Sequence, residues 1–468
     1  MFLQQERLGG VRVILQGLDE LLCPTIFWAL DPHQNSHWQT PYARLFDLVC
    51  STQRRWAEHF QAHGTASTAW LTWSGFEAPF VPWPERGQNL AFVGVVNDHR
   101  PIRRNMCAYL HKDFGLEPSQ GVSWGRMREI YAQARIVPNE SIFGEVNMRL
   151  FEAASCGCAV VGQTIDEDVE ELFEPGREML VFDHVLELRE CVNWLLKHPI
   201  EGEKLGRRAK ERVQAEHLPR HRASRLLELA MNTAQARRPL GQSIQDYWLA
   251  LHNLSLAGCF LLPSTELETA LASLAGQNPN ILRALLENLY ACGKRTDLEA
   301  LLVRTVQGRI EPGNPGLYLA CSAAAQALGR FNLARQFWQI HVRVVRKHPP
   351  NLPETPSALF MDWARILNRH GERSRPGFVF DSKRHLPETA LECLILAGSL
   401  TDKPDLVFDR VHHLLRDFRG YNEFRLQAQS WLSLRRRKDW RLGMDLGLTN
   451  LRVFRQKEGL EELSLALD

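Results

Sequence analysis

Apolar positions along the chain fall into two regimes. Up to about residue 232, short apolar runs alternate with stretches of helical period; beyond about residue 244 only the helical period remains. In the first regime VRVIL (11–15), PTIFWAL (24–30) and LFDLVC (45–50) predict strands, and TQRRWAEHFQAHG (52–64) predicts a helix. FEAPFVPWPERGQN (76–89) holds three prolines and a glycine ahead of a strand-like LAFVG (90–94), which places a domain boundary near residue 85. Strands and helices then alternate. Helices are expected over RRNMCAYLHKDFG and GRMREIYAQA, a strand at ARIVPN, a helix at NMRLFEAASCG, strands at CAVVG and MLVF, and helices at LELRECVNWLLKH and EGEKLGRRAKERVQAEH. Such interleaving predicts a doubly wound parallel sheet, which binds ligands at the carboxyl ends of its strands.

A linker, QARRPLGQS (235–243), separates this region from an all-α remainder. Two segments there align on a glycine, ENLYACGKRTDLEALLVRTV around Gly293 and AAAQALGRFNLARQFWQIHV around Gly329. That spacing suggests helix-hairpin repeats of the tetratricopeptide kind, although Leu298 stands where Ala334 does and Gly371 and Gly398 break the period. An irregular helical bundle is the alternative. The expected division is therefore 1–85, 86–234 and 244–468.

Composition narrows this picture only slightly. A chain of 468 residues with 44% hydrophobic content fills two or three cores. A formal charge of +2 provides no global field toward nucleic acid or an anionic membrane. The ten cysteines show no zinc or redox spacing, which fits reduced thiols and a cytoplasmic setting. No apolar run suits a signal peptide or a membrane span, so the protein is expected to be soluble or at most peripheral.

The densest chemical signal is ARIVPNESIFGEVNMRLFEAASCGCAVVG (134–162), where a buried strand runs into a polar loop and a helix opens at once. Such a helix start offers unpaired N–H groups and a positive dipole to a phosphate, and Glu152, one turn in, can accept hydrogen bonds from vicinal ribose hydroxyls. On its own it is equally an ordinary helix glutamate.

The order of a strand, N-E-S-I, N-M-R-L-F-E, A-S-C-G, CAVVG, ELFEPGREMLVF and a closing AEHLPRHRASRLLEL resembles the C-terminal domain of group 1 (family 4-type) glycosyltransferases, in particular a spore-maturation glycosyltransferase-like branch. The resemblance covers roughly 90–230. It implies a GT-B architecture of two Rossmann-like lobes, the first reduced, followed here by the helical region. The broader family carries two glutamates, the second holding the nucleotide ribose; Glu152 matches that one, while the first position is Gly144. In the suspected branch N-x-R-x-F-E replaces the pair, and Asn147, Arg149 and Glu152 reproduce it. The resemblance further implies a nucleotide-sugar site drawing on Gly94, Arg103, Asn139 and Ser141. Arg103, among Arg100, Arg103 and Arg104, would hold the diphosphate.

In the first lobe, Asp31 and His33 follow an apolar strand, where a parallel sheet presents loop residues to a cleft, and they are the catalytic candidates. Asp-Pro is also an ordinary turn initiator. His37 is a weaker candidate. His217 and Arg222 read as structural, and Trp70, Trp73 and Trp83 as core and hinge packing.

The expected function is transfer of a sugar from a nucleoside diphosphate-sugar donor substrate to an acceptor, with no cofactor. The resemblance implies retention of anomeric configuration and no metal. The helical region is a candidate for binding a protein acceptor or partner. A first lobe shorter than a full one keeps open a degenerate, non-catalytic transferase whose repeats act as a scaffold. An enzyme that modifies the nucleotide sugar is a third reading, without an acid/base pair to carry it.

Overall fold

The computed structural model describes residues 1–7, 12–165, 169–236, 240–276, 278–308, 314–345, 351–418 and 420–467. Val11 of the first expected strand and residues 237–239 of the expected linker lie outside them. Two compact units recombine the chain: one takes Met1–Cys50, Trp56–Ala69 and Thr233–Leu414, the other Ser51–Arg55, Trp70–Asn232 and Leu415–Asp468. The last helices thus belong with the second lobe and the earlier helices with the first, which differs from the three consecutive blocks expected from the sequence.

The first unit starts from a four-stranded sheet, ordered β1 (Phe2–Gln5), β2 (Thr25–Ala29), β3 (Leu48–Ser51), β4 (Thr68–Trp70). Strands β1 and β2 run parallel, from Phe2 against Thr25 to Gln5 against Trp28. The described part of VRVIL, residues 12–15, does not supply a strand: side chains capture this stretch, with Gln4 Nε2 donating to the Val13 carbonyl (2.8 Å) and the Leu15 N–H to Tyr42 Oη (3.0 Å). Helices α1 (Pro32–Ala43) and α2 (Arg54–Ala62) follow β2 and β3. Phe27, Trp38, Tyr42, Phe46 and Phe60 make the core, and Ala250 and Leu254 of α10 (Leu240–Leu256) complete it. That packing is why a helix distant in sequence joins this unit.

Beyond α10 the unit consists of α11 (Ser264–Leu274), α12 (Pro279–Ala291), α13 (Arg295–Gln307), α14 (Pro315–Ala327), α15 (Phe331–Val345), α16 (Pro356–Arg369), α17 (Ala390–Ser399) and α18 (Asp405–Leu415). The two aligned glycines occupy equivalent turns. Gly293 between α12 and α13 and Gly329 between α14 and α15 have φ of 68° and 78°, and the following Lys294 and Arg330 N–H groups return to Leu289 and Ala325. Gly371 (φ 83°) makes the same turn after α16, with the Glu372 N–H returning to Leu367. Residues 372–389 then intervene before α17, which carries Gly398 off the period. That insert lies on α1: a Cβ at Gly377 (φ +75°) would stand 2.2 Å from the Gln34 carbonyl. Burial, and then the charge of Arg375, push the His37 imidazole down to about 3.

In the second unit the run 88–93 is one extended stretch used on both edges. Its first part, β5 (Gln88–Leu90), pairs with β8 (Ala134–Asn139); its second, β6 (Phe92–Val93), pairs with β7 (Pro118–Ser119). Strands β9 (Ala159–Gln163) and β10 (Leu180–Phe182) continue beyond β8, all parallel. The spatial order is therefore β7, β5/β6, β8, β9, β10, and chain order reverses between the β5/β6 run and β8. Connecting helices are α3 (Pro101–Phe114), α4 (Trp124–Gln133), α5 (Met148–Ser155) and α6 (Val169–Leu172), followed by α7 (Val185–Lys197), α8 (Pro199–Glu216) and α9 (Pro219–Met231). Helices α19 (Asn422–Arg435), α20 (Trp440–Arg452) and α21 (Gln456–Leu467) return to this lobe. Leu451 and Phe454 enter the core of Trp83, Phe92, Met106, Leu110, Ile136 and Phe182, and Arg452 pairs with Asp183 at 2.7 Å.

Two features of this packing give testable consequences. Helix α8 crosses the end of α5 so closely that a Cβ at Gly206 would lie 2.3 Å from the Gly157 carbonyl oxygen, a backbone atom that cannot swing aside. Gly206→Ala is expected to cost about 1–3 kcal/mol of stability, read from the urea midpoint. His217 is buried against Phe151 and Phe173, its Nε2–H donating to the Leu172 carbonyl (3.0 Å) while Nδ1 accepts from Arg222 Nη2 (2.8 Å). Burial first, and the Arg222 charge second, lower its pKa to about 4. Because the unfolded imidazole takes its proton near 6.5, stability present above that pH is lost as pH falls toward 4. The contribution is on the order of 2 kcal/mol, and urea midpoints across that window should fall less steeply for His217→Gln than for the wild type.

Candidate functional site

The reversal point of the second lobe is where an open parallel sheet leaves a crevice at the carboxyl ends of its strands. Strand β6 ends there at Val93 and β8 at Asn139. Arg149, in the first turn of α5, joins them, its Nε donating to the Val93 carbonyl (3.2 Å) and its Nη1 to Asn139 Oδ1 (2.9 Å). Its guanidinium also lies 4.2 Å above the centre of the Phe92 ring. Gly94 fits this arrangement closely. A Cβ there would stand 2.8 Å from Arg149 Nη2, and three anchors leave that side chain no easy retreat.

Arg103 opens α3, as expected, but it is buried rather than displayed. Its Nε meets Glu140 Oε2 at 2.7 Å and its Nη1 the Val95 carbonyl at 3.3 Å. Such a pair is expensive to break from one side, because the remaining charge is left in a poor dielectric. Glu140, not among the candidate residues, is therefore the partner that fixes Arg103. Arg100, the N-cap of α3, is half-buried, and burial followed by the neighbouring Arg103 charge lowers its pKa. Burial likewise lowers that of Arg149. The three arginines thus gather where positive charge is poorly solvated.

The loop between β8 and α5 is held on many sides. Gly144 turns it with φ 79°, a conformation natural to glycine. A carboxylate stands one residue later. Glu145 is buried and accepts the Ile142 (3.0 Å) and Phe143 (2.7 Å) N–H groups, with Ser141 Oγ 2.9 Å from its Oε2. Ser141 is thereby used inside the loop. Gln53 clamps Val146 at both backbone atoms, accepting its N–H (3.0 Å) and donating to its carbonyl (2.7 Å), which Trp73 Nε1 also reaches (3.0 Å). Arg55 donates to the Phe143 carbonyl (2.9 Å), and Gly420 lies so close to Phe143 and Ile142 that a Cβ would overlap them.

Asn147, the N-cap of α5, donates its Nδ2 to the Glu140 carbonyl (3.0 Å); its Oδ1 is buried with no hydrogen-bond partner among the described residues. Glu152 is half-buried, and its pKa is raised by desolvation against the opposing pull of Arg149. Gly94, Arg103, Asn139, Ser141, Asn147, Arg149 and Glu152 therefore all belong to one lobe, around one sheet crevice. Trp73 and Trp83 are buried and Trp70 stacks under Arg54 at 4.5 Å, as packing residues should.

Asp31 and His33 belong to the other compact unit. Asp31 precedes α1 without capping it through its side chain; its N–H and that of Leu30 donate to Glu6 Oε2 (2.9 and 2.7 Å), and Glu6 Oε1 accepts from Asn35 (2.8 Å). Burial raises the Glu6 pKa. His33 is not on a loop but in the first turn of α1, 3% exposed, with Nε2 3.1 Å from Gln34 Nε2. Glu6 was not legible as the acid that holds the entry to this helix, because it lies just after β1, far from α1 in sequence. Among the described residues no group of His, Cys, Asp and Glu is placed to hold a metal ion, and no helix is long and apolar enough to cross a membrane.

Residues 47–228 match the model of the glycosyl transferase-like family. No curated protein sequence matches the chain. Solved structures similar to it include Anabaena Alr3699/HepE in complex with UDP-glucose, 14% identical with a TM-score of 0.36 over 44% of this chain and 71% of that one. Sucrose-phosphate synthase from Thermosynechococcus elongatus is 14% identical with a TM-score of 0.35, over 44% and 67%. The pneumococcal O-GlcNAc transferase GtfA in complex with UDP and GlcNAc is 11% identical with a TM-score of 0.34, the match spanning 44% of this chain and about half, 52%, of the transferase. The stretch that matches the glycosyl transferase-like family, residues 47–228, contains every residue of the crevice constellation and neither Asp31 nor His33.

Proposed function

We propose that the chain is a glycosyltransferase that takes a sugar from a nucleoside diphosphate donor held at the crevice of its second lobe. The observation that carries this reading is Arg149, tied to the ends of β6 and β8 at the sheet's reversal point, with Arg103 beside it. The bonds that fix these two side chains use Nε and Nη1 of each, so Nη2 is the donor each would bring to a phosphate oxygen. A diphosphate there would neutralise charge that burial makes costly, and its growing charge on departure would be stabilised by groups already in place. Asn147 Oδ1 and the opening turn of α5 add an acceptor and N–H donors. Glu152 would accept the ribose hydroxyls. The complexes of similar proteins with UDP-glucose and with UDP and GlcNAc support a nucleotide sugar as donor.

In the same reading transfer proceeds with retention and without metal or cofactor, and Asp31 and His33 serve the sugar or the acceptor. The helical hairpins between α11 and α18 would present a protein acceptor; a cell-surface glycan is the alternative. A second reading, a degenerate transferase acting as a scaffold, draws on the four-stranded first sheet and on the closed pairing of Arg103 with Glu140.

Calorimetric titration with UDP, GDP and their sugar conjugates tests the proposal. One nucleotide should bind, and Glu152→Ala should weaken it about tenfold or more through loss of hydrogen bonds to a charged group, with the fold intact by circular dichroism. Absence of binding to any nucleotide by the folded protein would exclude the transferase reading in favour of the scaffold.

A further inference from the structure

The turn between α19 and α20 has a composition that neither lobe's chemistry uses. Eight consecutive residues, Leu434 to Arg441, are exposed, and five of them are cations: Arg435, Arg436, Arg437, Lys438 and Arg441. The one acid, Asp439, is occupied in capping α20, where it accepts the Leu442 N–H at 3.3 Å. Apolar side chains frame the charges: Leu434 is 65% and Trp440 56% exposed. Arg435 stacks over Trp431 at 3.7 Å and Arg441 lies 5.0 Å from the Trp440 ring.

The neighbouring helix adds to the same end. A Cβ at Gly443 would lie 3.0 Å from Ala466, one at Gly447 2.7 Å from Leu463 and one at Gly459 2.7 Å from Leu451, so α21 runs antiparallel to α20 and brings Leu465, 71% exposed, toward the turn.

We propose that this helix end docks on an anionic lipid surface. A tryptophan with aliphatic neighbours suits the boundary between headgroups and acyl chains, and arginine stems lie along such a boundary while their heads remain in the polar layer. Each cation near an anionic leaflet strengthens binding about fivefold, within a Debye length of the surface. Single-stranded nucleic acid, the other polyanion, is gripped by a charged groove with successive aromatic platforms. Here one exposed ring and two leucines surround a short, tight turn. The inference does not depend on what the second lobe transfers.

Co-sedimentation of the full chain with phosphatidylcholine vesicles, with and without phosphatidylserine, provides the test. The chain should bind the phosphatidylserine vesicles, less so as salt is raised, and should not bind phosphatidylcholine alone. Joint replacement Arg435→Ser, Arg436→Ser, Arg437→Ser and Lys438→Ser should weaken binding at least about tenfold, and Trp440→Ser should weaken what remains at high salt. Both leave Asp439 and the buried helix faces untouched; should the fourfold variant lose its helical signal, Arg437→Glu replaces it. No vesicle binding by the wild type, equal binding by a folded charge variant, or preference for a single-stranded RNA oligonucleotide over the vesicles would each overturn the proposal.

Discussion

One arginine ties together the crevice end of the second lobe. Arg149 reaches from the first turn of α5 to the ends of two strands that are not neighbours in sequence, and Gly94 and Phe92 shape the space it fills. A guanidinium suits this task because its planar fork offers several donors in fixed directions and keeps its charge under burial. The ends of β6 and β8, the start of α5 and the adjoining loop acquire their positions from that tie. Around it Glu140 fixes Arg103, Asn147 donates to the Glu140 carbonyl, and Glu145 accepts the N–H groups of the loop that Gly144 turns.

The crevice is consequently a preorganised polar network. Glu140 fixes Arg103, Glu145 closes the loop upon itself, and Gln53 clamps Val146 from a segment far upstream. Networks of this kind hold groups in place at high electrostatic cost, which is tolerable because every charge has a partner or a nearby counter-charge. Reorganisation on binding an anion there would be correspondingly small, and that is the condition under which fixed dipoles and charges are worth most.

Much of this was legible from local pattern. ARIVPN is a strand over the residues expected, the helix expected to follow opens directly after Asn147, and the aligned glycines at 293 and 329 do turn helix hairpins. What escaped the sequence was long-range. VRVIL has the composition of a strand, yet Gln4 and Tyr42 hold it, and β1 forms instead from the less apolar FLQQ. Glu6, Gln53 and Glu145 had no motif to announce them, because their partners are backbone N–H and carbonyl groups whose position only the fold decides. Arg103 was found at its helix start, but its burial against Glu140 could not be read from spacing.

The entry of Leu451 and Phe454 into the core of the second lobe has a consequence for how the chain acquires its structure. These two side chains are synthesised only after the entire helical segment of the other unit, so the apolar floor under β5, β6 and α3 cannot close while the lobe's own strands are emerging from the ribosome. Contacts of such sequence separation bear a large loop-closure entropy and form late. The order of maturation is therefore the reverse of what chain order suggests: the helical segment can reach its native packing first, and the lobe bearing the arginine crevice becomes complete last.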